Sequence, residues 1–275
     1  MTINCKGELI DLSQPRVMGI LNITPDSFYD GGNFVDENAI LTQVEKMLND
    51  GATFIDVGGY STRPGADEVS IEEENLRITN AIDIILNAFP NTLISVDTFR
   101  SEIAQGAIDK GACMVNDISA GQLDKKMMQT VARLQVPYVM MHSRGTPKTM
   151  QTFTQYENLI GDIIKFFSER ILKAILLKIN DLIIDPGFGF AKTLEQNYEL
   201  LKDLRLLEVI DLPILCGVSR KSMIYKTLNC TPNEALNGTT ALHIIALQNG
   251  ASILRVHDVK EAVECIKLNE QLIQS

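Results

Sequence analysis

Short runs of apolar, often β-branched residues recur along this chain, and amphipathic stretches separate most of them. The runs are Arg16–Leu21, Phe54–Gly58, Leu93–Thr98, Met114–Ile118, Tyr138–His142, Leu182–Pro186, Ile214–Ser219 and Ile253–His257. Such nearly unbroken hydrophobicity is the pattern of parallel strands covered on both faces. The spacing between runs predicts helices. One covers Asn38–Asn49 and closes at Gly51; another covers Ser101–Asp109 and closes at Gly111. Glycine at such a stop enters the left-handed cap conformation without a Cβ clash.

An internal echo points to repeated units. Gly51-Ala-Thr-Phe-Ile-Asp56, Gly111-Ala-Cys-Met-Val-Asn116 and Gly250-Ala-Ser-Ile-Leu-Arg255 each read helix stop, apolar strand, polar residue. Equivalent βα units would bring Asp56, Asn116 and Arg255 to similar heights at one end of a sheet, on its second, fourth and eighth strands. Asp185 on the sixth completes the even set, and alternate barrel strands share inward-facing layers. Eight strands with polar residues at nearly every strand end predict an α/β fold, a single (β/α)8 TIM barrel. The expected domain is 1–275, since such barrels routinely use about 250 residues as one unit. The active site is expected at the C-terminal ends of the strands. A doubly wound open sheet is the alternative, because βα alternation alone does not exclude it.

Composition narrows the function classes. A net charge of −10 argues against general nucleic-acid binding, which needs a basic face. The opening MTINCKGELIDLSQP has no long apolar core, so neither a signal peptide nor a membrane anchor is expected there. The longest apolar runs fall well short of the roughly 18 residues that span a bilayer. Five widely spaced cysteines, Cys5, Cys113, Cys216, Cys230 and Cys265, form no CxxC pair. They read as reduced thiols of a cytoplasmic protein rather than as disulfides or a zinc site.

The strand ends supply Asn22, Asp56, Asp97, Asn116, His142, Asp185, the Ser219-Arg220-Lys221-Ser222 turn, and Arg255 with His257. Taken singly, an Asp or Asn after a strand is a helix cap or turn residue. Taken together they follow strongly apolar runs, where an unpartnered polar group costs several kcal/mol, and a shared functional role accounts for them better. Two Gly/Pro-containing loops, Asn22-Ile-Thr-Pro-Asp-Ser-Phe-Tyr-Asp-Gly-Gly32 and Gly58-Gly-Tyr-Ser-Thr-Arg-Pro-Gly65, hold groups suited to phosphate or metal. In a chain this acidic, converging Arg63, Lys221, Arg255 and His257 imply an anionic ligand. Asp185-Pro-Gly-Phe-Gly-Phe190 carries a carboxylate able to accept two parallel N–H bonds from a flat heterocycle, with Phe188 or Phe190 to stack on a ring. His142 reads as a loop-shaping residue, and His243 and Tyr225 as packing residues. No GxGxxG after a strand, GxxxxGK[ST] or HExxH is present.

These segments resemble the dihydropteroate synthases. Met18-Gly-Ile-Leu-Asn-Ile-Thr-Pro-Asp-Ser-Phe-Tyr-Asp-Gly-Gly32 is similar to that family's first signature, and Asp56-Val-Gly-Gly-Tyr-Ser-Thr-Arg-Pro-Gly65 to its second. Ser95-Val-Asp-Thr98, Val115-Asn-Asp-Ile-Ser119, Met141-His-Ser-Arg-Gly-Thr-Pro147, Asp185-Pro-Gly-Phe-Gly-Phe190, Gly217-Val-Ser-Arg-Lys-Ser222 and Arg255-Val-His-Asp258 continue the match in the family's order, over essentially the whole chain. The resemblance implies condensation of p-aminobenzoate with a dihydropterin diphosphate, with release of pyrophosphate. It implies pterin binding by Asp97, Asn116, Asp185 and Lys221, and diphosphate binding by Asn22, Thr62, Arg63, Arg255 and His257. Aminobenzoate falls to Phe28, Thr62, Pro64, Phe190, Lys221 and Ser222. Asn22 is then the protein ligand to Mg2+, with Asp30 joining that shell, and Asp30, Arg63, Lys221, Arg255 and His257 carry the reaction. Sulfonamide inhibitors and a homodimer are expected from the same resemblance. The alternatives are the pterin-binding domain of corrinoid-dependent methyltransferases and a catalytically silent pterin-binding protein; the Thr24–Gly32 loop and Ser219–Ser222 turn favour the synthase.

Overall fold

The computed structural model describes residues 1–23, 36–60 and 69–274. All eight apolar runs form strands, and the strands close on one another in parallel. They are β3 (Arg16–Asn22), β4 (Phe54–Gly58), β5 (Leu93–Asp97), β6 (Met114–Asp117), β7 (Tyr138–Met141), β8 (Leu182–Asp185), β9 (Ile214–Cys216) and β10 (Ala251–Val256). Each pairs with its successor, and β10 returns to pair with β3, which decides for the barrel over the open sheet.

Several predicted runs overshoot. Thr98, Ile118, His142, Pro186 and Gly217–Ser219 have left the ladder and entered the turns that follow it. Hydrophobicity continues into those turns because they are buried, so periodicity alone could not mark the strand ends. The helices between strands pack outside. They are α1 (Glu37–Asn49), α2 (Ile71–Ala88), α3 (Ser101–Asp109), α4 (Met127–Leu134), α5 (Leu159–Leu176), α6 (Leu194–Lys202), α7 (Ser222–Leu228), α8 (Leu236–Gln248) and α9 (Val259–Gln274). Helix α1 starts at Glu37 rather than Asn38 because the Asp36 carboxylate caps it by accepting from the Ala39 N–H at 3.0 Å. Gly51, Gly111 and Gly250 have φ of +100°, +107° and +91°, the left-handed stop that the echo requires.

A hairpin absent from the sequence reading, β1 (Thr2–Cys5) and β2 (Glu8–Asp11), closes the barrel floor. Its two-residue Lys6–Gly7 turn, with φ of +55° and +85°, was the legible signal. Ile3, Cys5, Ile10 and Leu12 pack against Met18, Phe54, Met114, Val139, Ile183, Leu215 and Ile253, which point inward from the strands. The outward-facing residues, such as Val17, Ile55, Val96 and Ile184, join the larger core beneath the helices. Among the described residues no helix is long and apolar enough to cross a membrane.

Candidate active site

Side chains alternate along a strand, so two residues beyond each floor position the chain again faces the barrel axis. There the apolar layer gives way to Asp56 above Phe54, Ser95 above Leu93, Asn116 above Met114, Asp185 above Ile183 and Arg255 above Ile253. One more pleat up stand Asn22 and Asp97. The barrel therefore has a greasy floor and a polar mouth at the C-terminal ends of its strands.

The three echo residues meet. Arg255 Nε donates to Asp56 Oδ2 at 2.6 Å, and Asn116 Nδ2 donates to the same oxygen at 3.0 Å. Arg255 Nη2 donates to Asp97 Oδ2 at 2.6 Å. Asp56 is 0 % exposed, and its Oδ1 has no hydrogen-bond partner among the described residues, as is also true of Ser95 Oγ on the adjoining strand. A buried acceptor of that kind is satisfied by a ligand donor or by ordered water.

Charge in the mouth is closely balanced. Two of Arg255's three guanidinium nitrogens are committed to carboxylates, so Asp56, Asp97 and Arg255 together carry one negative charge when ionised. Arg255, expected as a cation for an anionic ligand, spends Nε and Nη2 on these two carboxylates. Burial opposes the Arg255 cation, but Asp56 and Asp97 hold it above its ordinary range. Burial pushes the Asp97 carboxyl up to about 7, against the pull of Arg255. Asp185 is also pushed up by burial, opposed by Lys221 and by the Gly187 N–H, which donates to Asp185 Oδ1 at 2.7 Å. Lys221 is pushed down by burial to about 8, with Asp185 drawing it back up.

Lys221 donates to the Phe188 carbonyl and lies 5.0 Å from the centre of the Phe190 ring. Its direction follows from its neighbour. Arg220, at a left-handed φ of +52°, turns outward to make two bonds with Asp258, at 2.7 and 2.8 Å. Gly217 lies beside Lys221 and Arg255: a Cβ there would be 3.8 Å from Lys221 Nζ and 3.9 Å from Arg255 Cβ. Phe188 is fully buried in the outer core, which leaves Phe190 as the ring available at the mouth. Ser222 opens α7. His257 is exposed beyond the end of β10, its Nδ1 3.2 Å from Ser219 Oγ. A Cβ at Gly58 would sit 3.6 Å from Asn22 Oδ1 and 3.7 Å from Asp97 Oδ2, so that glycine keeps the approach to both open.

Phe28, Asp30, Thr62, Arg63 and Pro64, and the tyrosine at 29, lie outside the described residues. His142 is buried against Phe166 at a ring separation of 4.9 Å. Its Nδ1 is 3.0 Å from Lys192 Nζ, a lysine that sequence reasoning passed over. His243 is buried within α8, with neither ring nitrogen hydrogen-bonded among the described residues.

A (β/α)8 barrel with acidic and amide groups at its mouth, two lysines nearby and an aromatic ring at the rim defines a binder of flat, polar heterocycles. The family described as "Pterin binding enzyme" matches residues 18–257. The dihydropteroate synthase of Escherichia coli strain K12 is 42 % identical over 280 residues, covering 100 % of this chain and 98 % of the relative. A crystal structure of the Yersinia pestis dihydropteroate synthase with a sulfonamide drug complex superimposes with a TM-score of 0.93 at 42 % identity, covering 100 % of both chains. The Xanthomonas albilineans dihydropteroate synthase with 4-aminobenzoic acid gives 0.91 at 37 % identity, over 100 % of this chain and 98 % of that one. This chain belongs to the pterin-binding enzymes and, within them, to the dihydropteroate synthases.

Proposed function

We propose that this chain condenses p-aminobenzoate with (7,8-dihydropterin-6-yl)methyl diphosphate, giving 7,8-dihydropteroate and pyrophosphate. The observation that carries this reading is the buried polar layer of Asp56, Asn116 and Asp185 beneath Asp97 and Lys221, in a chain so similar to dihydropteroate synthases. An aminopyrimidinone edge offers adjacent N–H donors to the Asp185 carboxylate, and Asn116 and Asp97 complete the match. Asp56 Oδ1 is a further acceptor for a ligand donor or an ordered water. Lys221 donates to the pterin carbonyl or a ring nitrogen. Aminobenzoate takes the rim, with Phe190, Lys221 and Ser222 from the described residues and Phe28, Thr62 and Pro64 from the two loops.

The reaction breaks the bond between the pterin methylene carbon and the bridging oxygen, which leaves with pyrophosphate. Arg63, Arg255 and His257 bind the departing diphosphate, and the pterin ring delocalises the resulting cation. The arylamine nitrogen then bonds to that carbon and releases a proton; the pocket supplies orientation rather than a covalent nucleophile. Asn22 fits an Mg2+ ligand: it is half-buried at the end of β3, and its amide oxygen lies near Gly58, as does the Asp97 carboxylate. Mg2+ takes few protein oxygens beside phosphate and water, and bound there it would neutralise diphosphate charge. Asp30 would join it from the first loop.

The sulfonamide-bound relative supports sulfonamides as ligands of this chain. Leu172, Ile175 and Leu176 on α5 are exposed, as are Leu206 and Val209 on the adjoining 3-10 segment Leu204–Ile210. That apolar surface supports a homodimer. Five unpaired cysteines agree with a cytoplasmic setting. The 1–275 chain is read as one domain.

The direct test is pyrophosphate release, which should require both substrates and stop when aminobenzoate is omitted. Release that is no faster with aminobenzoate than without it would reject the assignment. Two further outcomes are expected. Asn22→Ala should raise the Mg2+ needed for half-maximal turnover by roughly tenfold or more while leaving binding of a diphosphate-free pterin unchanged; normal turnover at low Mg2+ would remove Asn22 from the metal. Because Lys221 titrates at about 8, kcat/KM for the pterin substrate should fall as pH rises through that value. Lys221→Arg, which stays charged, should lose this alkaline limb; a limb that persists would assign it to another group.

A further inference from the structure

The turn leaving β8 contains neither helix nor strand, yet side chains bind every carbonyl from Gly187 to Ala191. Gly187 and Phe190 are bound by Lys192 Nζ at 3.0 and 3.1 Å, and Phe188 by Lys221. Gly189 is bound by Gln151 at 3.3 Å and Ala191 by Tyr156 at 2.9 Å. The backbone takes left-handed φ three times, at Gly187 (+72°) and Gly189 (+81°), where glycine allows it, and at Ala191 (+49°), where a Cβ makes it rare. Such a path persists only when its surroundings determine it.

Lys192 takes the largest share. It is 4 % exposed, and its third contact is His142 Nδ1 at 3.0 Å. As an ammonium Lys192 has a donor for each of these three contacts, although burial pushes it down to about 7, with Asp185 drawing it back up. Burial holds His142 well below its ordinary range, so the ring is neutral and Nδ1 can accept. Residue 142 also ties the ends of β7 and β8 together: its N–H donates to the Asp185 carbonyl at 2.8 Å, and a Cβ on Gly187 would lie 2.1 Å from its carbonyl oxygen.

We propose that Lys192 is a positioning residue for the condensation, acting through the 185–191 turn. By holding the Gly187 and Phe190 carbonyls inward against His142, it sets Phe190 at the rim and presents the Phe188 carbonyl to Lys221. It touches neither substrate. The proposal rests on the reading of Phe190 as an aminobenzoate residue. Asp185 is less dependent on Lys192, because its own strand, the Gly187 N–H and the His142 N–H hold it as well. Loss of Lys192 therefore acts on aminobenzoate more than on pterin.

The test is steady-state kinetics and pterin titration of Lys192→Met, Lys192→Gln and Phe190→Ala, with 15N NMR of the histidine rings. Lys192→Met should raise KM for aminobenzoate by roughly tenfold or more with a smaller change in kcat, leave pterin affinity within about twofold, and shift the His142 Nδ1 resonance. Lys192→Gln keeps two N–H donors on a stem one bond shorter, and should recover most of the loss, to about threefold above wild type. If Lys192→Met does not fold, the glutamine variant decides, and a wild-type KM in it overturns the proposal. A raised KM in Phe190→Ala with an unchanged one in Lys192→Met overturns the proposal alone. An unchanged KM in Phe190→Ala removes Phe190 from the site, and the proposal falls with that reading.

Discussion

Arg255→Met is expected to cost about 3–5 kcal/mol of folding stability, the usual result of removing one partner from a buried ion pair, and to abolish turnover. The arginine is ion-paired to two carboxylates, of which Asp56 has no exposed surface. Methionine fills the space of the stem and leaves both charges uncompensated. The loss should depend on pH in a definite direction. Burial already pushes the folded Asp97 carboxyl up, and losing Arg255 removes the charge that opposes this, so it titrates further above the unfolded value of about 3.9 and the folded state binds more protons over that interval. Stability of the variant then falls as pH rises from the unfolded value through the folded one. Urea unfolding at pH 5 and pH 8 should show the larger deficit at pH 8. Adding Asp56→Asn should restore part of it, since the two residues share one interaction. A deficit that is the same at both pH values, or no recovery in the double variant, would mean that the cluster is not the electrostatic centre of the barrel.

The second large effect is on ligand affinity. Asp185→Asn should weaken binding of a diphosphate-free pterin by about 10²-fold or more, roughly 2.7 kcal/mol. The substitution separates two functions of the side chain. Asparagine's oxygen can still accept the Gly187 N–H, now at 2.7 Å, so the turn keeps its shape. What changes is the second oxygen, which becomes an N–H facing the ligand's own donors. Unchanged affinity by calorimetric titration would remove Asp185 from the site.

The sequence carried much of this architecture because the same physics acts on each repeated unit. A glycine stop, an apolar strand and a polar residue at fixed spacing were enough to bring Asp56, Asn116 and Arg255 into contact. Asp97 was legible as a strand-end residue but not as a partner of Arg255. It belongs to an odd strand and stands one pleat above Ser95, and the stagger of the barrel, which periodicity does not encode, brings it level. Two features were missed for opposite reasons. The strands of the N-terminal hairpin are too short for their alternation to stand out, although Lys6–Gly7 marks the turn. Lys192 reads as an ordinary surface charge after a glycine-rich turn; its burial depends on His142, far away in sequence. The Phe188-or-Phe190 ambiguity was also irreducible in one dimension, since only packing sends Phe188 outward beneath the helices. Strand ends overshot wherever buried turns kept the hydrophobic pattern going.

The central claim is transfer of the pterinylmethyl group to an arylamine by loss of diphosphate. Its most direct test uses a pterin diphosphate labelled with 18O at the oxygen bridging methylene carbon and phosphorus, turned over with aminobenzoate and analysed by mass spectrometry. The account predicts that all the label leaves in pyrophosphate, and that the pterin product carries aminobenzoate on its methylene carbon. Label retained in a hydroxymethylpterin, with a phosphoryl group passed to an acceptor, would contradict it.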